Sequence, residues 1–180
     1  KLLYSTGMRL REVNNLRWNQ VTAPIHEKGR RKEILRSIYI GKTKTGRKRT
    51  ITCEVAYIFN GLHKIYQDRG IEIDRKSDTR VFFKLHTNRY DLDSWVTDKT
   101  MVDRLDKAMK ETGLYQKLEK EMPPRRITPN SARHYVATYK KVNENWDWDK
   151  IALFLGHEPE MTRRRYSKVT SAMLSAKEEI

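Results

Sequence analysis

The sequence predicts an α+β fold, mainly helical, carrying one small antiparallel sheet. Three observations carry that prediction. Apolar residues recur at helical spacing in several stretches, two β-branched runs flank one short basic turn, and Gly and Pro punctuate the helical segments. At 180 residues, the chain has room for a single domain with a sizeable core.

The elements follow in order. Leu2, Leu3, Leu10, Val13, Leu16 and Val21 are interrupted by Ser5-Thr6-Gly7, which predicts a helix end, a tight glycine turn and a second short helix. Residues 34–40 and 50–53 are rich in β-branched and aromatic side chains. Between them, Thr43-Lys44-Thr45-Gly46-Arg47-Lys48 predicts a hairpin with a basic tip. Val55, Ile58, Leu62 and Ile65 recur at helical spacing, as do Val102, Leu105 and Met109. Val81-Phe82-Phe83 fits either a short third strand or a buried loop, and the long stretch from Phe83 to Arg126 offers no chemistry. Residues 122–129 form a proline-rich connector, with Thr128 as N-cap and Pro129 at the first position of a helix that runs to about Lys141. Another helix covers Asp147–Leu155, with Gly156 as its stop. Helical character resumes near Met161, and 170–180 reads as a terminal helix or a loose tail.

Charge is the first functional clue. Thirty-eight Lys and Arg against 23 Asp and Glu leave a formal +15. Such an excess concentrates polyanions at the surface and gives affinity for nucleic acid, although ribosomal and membrane-surface proteins share it. No apolar run approaches the ~20 residues of a membrane span, and no signal peptide is visible. The chain starts directly in a patterned segment, which suggests a fragment of a longer protein. The lone Cys53 allows no internal disulfide and fits a reducing compartment.

Six positions suggest chemistry when taken together: Arg9 with Glu12 one turn later, Lys44 at the hairpin tip, Asn130 and Arg133 in Asn130-Ser131-Ala132-Arg133-His134, His157 after Leu155-Gly156, and Tyr166 nine residues on. Singly, each has an ordinary explanation. Arg9 fits a solvated helix face, His157 a helix C-terminal cap, and Tyr166 one packed aromatic among nine tyrosines. Lys44 sits in a basic run from Lys42 to Arg49 that could simply grip DNA backbone, with Lys42 its rival for any catalytic role.

In order and spacing these elements resemble the tyrosine recombinase family, which includes phage integrases and Xer-type resolvases. The resemblance is carried by Thr6-Gly7-Met8-Arg9-Leu10-Arg11-Glu12, Lys44-Thr45-Gly46-Arg47-Lys48-Arg49, Asn130-Ser131-Ala132-Arg133-His134, and Leu155-Gly156-His157 followed by Tyr166. It spans almost the whole chain. It implies the family's catalytic-domain fold over residues 1–180, with an upstream DNA-clamping domain outside the sequence.

The implied activity is DNA strand cleavage and rejoining through a 3′-phosphotyrosyl intermediate, as in integration or excision of a mobile element. Tyr166 would attack phosphorus, and Arg9 and Arg133 would clamp the non-bridging oxygens with planar, permanently charged forks. Lys44 would protonate the leaving 5′-oxygen, and His157, with His134, would hydrogen-bond the phosphate or help deprotonate Tyr166. Glu12 would orient Arg9 or its neighbours. Lys42, Arg47, Lys48, Arg49, Arg163 and Arg164 are expected on the DNA backbone, with Arg165 beside them. No metal, ATP or other cofactor is implied.

The expected partners are double-stranded DNA, a synaptic tetramer assembled on it, and accessory DNA-bending proteins. No membrane partner is implied, and the expected location is the cytoplasm (the host's, if the element is viral), on the nucleoid. Asn130 departs from the family pattern, standing where a histidine is usual; it can donate to a phosphate but cannot act as a base. Two rivals remain: a non-catalytic DNA-binding module on the same scaffold, and a type IB topoisomerase acting as a monomer. A metal nuclease is disfavoured, because no carboxylate or Cys/His cluster has ligand spacing.

Overall fold

Period-2 alternation builds the sheet. The computed structural model describes residues 1–22, 35–41, 48–85, 90–92, 94–113 and 128–167. Within it, β1 (Leu35–Ile40) pairs antiparallel with β2 (Arg49–Glu54) in a register that sets Ile38 opposite Ile51 and Ile40 opposite Arg49. Along β2, Arg49 and Ile51 point inward while Thr50 and Thr52 face solvent. An isolated bridge from Val21 to Ile38 extends the sheet on its other edge.

Helices α1 (Leu2–Thr6) and α2 (Leu10–Asn14) are separated by Gly7, whose φ of +60° is the left-handed conformation that glycine adopts freely. A Cβ there would also lie 2.6 Å from Leu155 Cδ2, so the turn can close only around glycine. A 3-10 turn (Trp18–Gln20) follows, with Trp18 buried edge-on against Phe59 of α3 (Ala56–Gln67). Val81-Phe82-Phe83 forms a loop, not a strand; it is held by Val81 N–H donating to Leu16 O and Tyr66 Oη donating to Val81 O. A second small hairpin, β3 (Lys84–Leu85) with β4 (Tyr90–Asp91), precedes α4 (Asp98–Glu111), whose N-cap Thr97 accepts from Thr100 N–H.

The C-terminal half matches the predicted punctuation. α5 (Pro129–Val142) starts after Thr128, and α6 (Trp148–Leu155) starts at the Asp147 N-cap, which accepts from Lys150 N–H. α6 ends in a Schellman turn, with Gly156 N–H reaching Leu153 O and His157 N–H reaching Ala152 O. Residues 159–167 are again helical and form the described part of α7. The hairpin tip (42–47), the connector (114–127) and the tail (168–180) lie outside the described residues.

One apolar cluster joins these elements. Met8, Leu16, Ile38, Ile51, Val55, Phe59, Val136, Ile151 and Leu155 are all essentially inaccessible to water. Burial of each large aliphatic or aromatic side chain contributes about 1.5–3 kcal/mol. α1 packs on α5 and α5 on α6, while β2 touches both α1 and α6. The first residue of β2 is therefore delivered to the seam between the Gly7 turn and the Gly156 turn. No helix among the described residues is long and apolar enough to cross a membrane.

Candidate active site

Four charged side chains meet where α2, β2 and α5 converge. Arg9 is the N-cap of α2, and its own N–H donates to Glu12 Oε2 at 2.8 Å while its Nη1 donates to Glu12 Oε1 at 3.0 Å. From β2, Arg49 makes a forked pair with the same carboxylate: Nη2 to Oε2 at 2.7 Å and Nη1 to Oε1 at 3.1 Å. Both members of that pair are buried, the Arg49 side chain 2% exposed and Glu12 5%. Burial alone would raise the Glu12 pKa; Arg49 and Arg9 outweigh it and hold the carboxyl below its usual range.

Arg133, the fourth, points from α5 into the same region and is buried. Its Nη1 donates to Gly7 O at 2.6 Å, and its Nη2 donates to Leu155 O and to His157 Nε2 at 2.8 Å. Its Nε also reaches His157 Nε2, at 3.2 Å. This one guanidinium ties the turn before Arg9 to the turn that presents His157. Burial, with Arg9 and Arg49 nearby, draws its pKa down to about 10, so it remains charged at neutral pH. Arg9 and Arg49 thus share one carboxylate with Arg133 close by, and three guanidiniums against one carboxylate leave the site with excess positive charge.

An accepting Nε2 makes His157 the neutral Nδ1–H tautomer. Its pKa falls to about 3, first through burial and then through Arg133, Arg9, Arg165 and Arg49. Tyr166 is 2% exposed, its ring stacked on His157 at 6.2 Å and edge-on to His134 at 5.0 Å. Burial raises the phenol pKa, opposed by the charge of Arg133, Arg165 and Arg9 and by a hydrogen bond with Arg133. His134 is lowered by partial burial and by Arg165 and Arg133. Beside this cluster opens a cleft of about 850 Å³ whose lining includes Arg9, Arg11, Arg17, Tyr39 and Asn130. Among the described residues, no three His, Cys, Asp or Glu side chains gather as metal ligands would.

By sequence, residues 1–173 match the phage integrase family. The chain belongs to that family. Comparison with curated protein sequences gives no match. Among solved structures, the chain resembles the XerH site-specific recombinase bound to a palindromic difH substrate in a post-cleavage complex, with 21% identity and a TM-score of 0.66 over 99% of this chain and 43% of that one. It also resembles the XerA recombinase (21%, TM-score 0.54, 90% and 49%) and the Tn1549 transposon integrase in complex with circular intermediate DNA (19%, TM-score 0.50, 91% and 50%). All three are tyrosine recombinases, and at these identities the likeness is one of fold. The chain spans about half or less of the length of each.

On this integrase fold, the structure brings Arg9, Glu12, Arg133, His157 and Tyr166 together, with His134 against Tyr166 and Asn130 on the cleft wall. Lys48, Arg163, Arg164 and Arg165 are exposed. Lys42, Lys44 and Arg47 lie outside the described residues. Two expectations change. Arg49, expected on the DNA backbone, is instead buried, with its guanidinium paired to Glu12 in the interior. His157, expected to donate to the phosphate or to help deprotonate Tyr166, accepts from Arg133 through Nε2. Sequence reasoning also missed the Gly7 and Leu155 carbonyls that hold Arg133, since a main-chain acceptor carries no residue signature.

Proposed function

We propose that this chain is the catalytic part of a site-specific recombinase that cuts and rejoins DNA strands, integrating or excising a mobile element. The observation that carries the reading is the juxtaposition of buried Tyr166 with Arg133, in a site where three guanidiniums stand near a single carboxylate. A phosphodiester brings the negative charge that such a site lacks, and further charge builds on its non-bridging oxygens during displacement.

In the proposed step, Tyr166 Oη attacks phosphorus while the bond to the 5′-oxygen breaks. Arg9 and Arg133 hold the non-bridging oxygens, and Lys44 gives the leaving oxygen its proton. The phenolic proton passes to the phosphate or its bound water, because a neutral His157 with a pKa near 3 is a weak acceptor. His157 serves instead to orient Arg133. The phosphotyrosyl bond keeps the energy needed for rejoining, so the reverse displacement needs no external energy source.

The same reading has residues 1–180 acting as one catalytic domain behind an upstream DNA-clamping domain. Lys42, Arg47, Lys48, Arg163 and Arg164 would lie on the backbone, with Asn130 and His134 beside the scissile phosphate. The working form would be a tetramer on double-stranded DNA, assisted by DNA-bending proteins on the nucleoid of the cytoplasm. Relatives in fold have been seen with difH substrate and with circular intermediate DNA, which supports DNA as the partner.

The test is covalent trapping. The protein and its Tyr166→Phe variant are incubated with fragmented DNA from the source organism and its mobile elements, then denatured in SDS. The expected result is protein-linked DNA with a free 5′-hydroxyl end, formed only when Tyr166 is present. An adduct that persists in Tyr166→Phe would remove the nucleophile assignment. DNA binding with no adduct from the full-length protein would leave a non-catalytic DNA-binding module.

A further inference from the structure

We infer that Arg49 is a positioning residue for strand cleavage, a buried strut that fixes Arg9 through Glu12 and sets the hairpin stem against the turn presenting His157. Three observations converge on it. First, its fork holds both oxygens of Glu12, and Glu12 in turn holds both the main-chain N–H and the guanidinium of Arg9. Arg9 itself is partly exposed, and its guanidinium donates to that carboxylate, which sets its orientation. Second, Arg49 closes the described ladder of the hairpin, opposite Ile40, immediately after the basic tip. Third, the Arg49 guanidinium lies against Gly156 so closely that a Cβ there would sit 2.4 Å from its Nη1. The glycine that turns the chain toward His157 also leaves the space that Arg49 fills.

A lysine could not replace this arrangement fully. It offers one point charge where Glu12 meets a planar two-pronged donor. Truncation would do more harm, because Glu12 would keep a buried charge that its stronger partner no longer balances. The groups facing Glu12 are Arg9 on its own helix, Arg49 from β2 and Arg133 from α5. Asp98 on α4 faces the same helix and is engaged by Arg11 and Asn14. His157, beyond Gly156, is neutral. Loss of Arg49 therefore shifts Glu12 toward its protonated form, and Arg9 loses its anchor as the pH falls.

The inference rests on the recombinase reading, and its test separates the two. Wild type, Arg49→Lys and Arg49→Met are compared on two probes: a short random-sequence duplex, for affinity against salt, and the fragment captured by Tyr166, for cleavage. A buried strut predicts that Arg49→Met keeps the wild-type salt slope. It also predicts cleavage per bound protein down on the order of 100-fold, the scale of a misplaced catalytic group. The acid limb of its cleavage profile should move to higher pH, with Arg49→Lys in between on both counts. A backbone contact predicts the opposite, a salt slope smaller by about one with cleavage per bound protein unchanged; that result would overturn the inference.

If Arg49→Met fails to fold, the Glu12→Gln/Arg49→Met double variant removes both buried charges. Folding with cleavage still lost supports the strut, and folding with wild-type cleavage overturns it. Should the full-length wild type fail to cleave, the recombinase reading falls and the cleavage role of Arg49 falls with it; wild-type cleavage beside a smaller salt slope in Arg49→Met overturns the inference alone.

Discussion

Acidification from pH 7 to pH 5 should destabilise this integrase domain through His157. In the fold its imidazole accepts from Arg133 and has a pKa near 3, against 6.5 for the free side chain. The unfolded chain therefore binds a proton that the folded chain refuses between those values. Stability contributed by the group is fully present above pH 6.5 and is lost as pH falls toward 3. Between pH 7 and pH 5 the difference in binding polynomials amounts to about 2 kcal/mol. For a domain of this size that is roughly 5 °C in Tm. His134, lowered in the same direction, adds to the fall, whereas Glu12, held below the usual carboxylate range, contributes only at lower pH.

The assay is urea denaturation of wild type and His157→Gln at both pH values, at constant m. A glutamine oxygen can still accept from Arg133 but does not titrate. His157→Gln should thus lose about 2 kcal/mol less than wild type on acidification. Equal losses in the two proteins, or an NMR titration placing His157 near 6.5, would refute the assignment of a neutral, accepting His157.

Two further outcomes follow from the geometry. Arg133→Ala should abolish Tyr166-dependent cleavage while leaving most DNA affinity, which filter binding and adduct yield on one preparation would separate. It should also cost about 3 kcal/mol or more of stability in urea, since the buried Gly7 and Leu155 carbonyls and His157 lose their donor. Gly156→Ala combines a φ of +66° with a Cβ 2.4 Å from Arg49 Nη1. We expect a loss of about 2 kcal/mol or more by chemical denaturation, with cleavage falling in step because Arg49 must move.

Much of the fold was legible because its signals are local. Gly7, Thr128-Pro129, Asp147 and Gly156 each fix a backbone conformation or cap that a few neighbouring residues determine. The two-residue strands Lys84–Leu85 and Tyr90–Asp91 were not legible, since so short a run shows no period. At the site, Arg9, Glu12, Arg133, His157 and Tyr166 were found through the resemblance to the tyrosine recombinase family, carried by their order and spacing. The burial of Arg49 against Glu12 was not read, because a basic run looks equally suited to DNA wherever it points. The corrective signal was present in the alternation: Arg49 is in phase with Ile51, the inward face of β2, and out of phase with Thr50 and Thr52. The acceptor role of His157 could not have been read, because it depends on α5 and the Gly156 turn meeting across 24 residues of sequence.

The excess of three guanidiniums over one carboxylate has a practical side. A protein whose interior repels itself until an anion arrives treats that anion as part of its own fold. On the recombinase reading, oxyanions that enter the site, whether DNA phosphate, free phosphate or sulfate, would raise the unfolding free energy by mass action, in proportion to the logarithm of their concentration over their dissociation constant. Buffer choice then sets the apparent robustness of the domain. On that reading, a melting temperature taken in phosphate would describe a partly liganded protein, and one taken in a chloride buffer at low ionic strength the empty one.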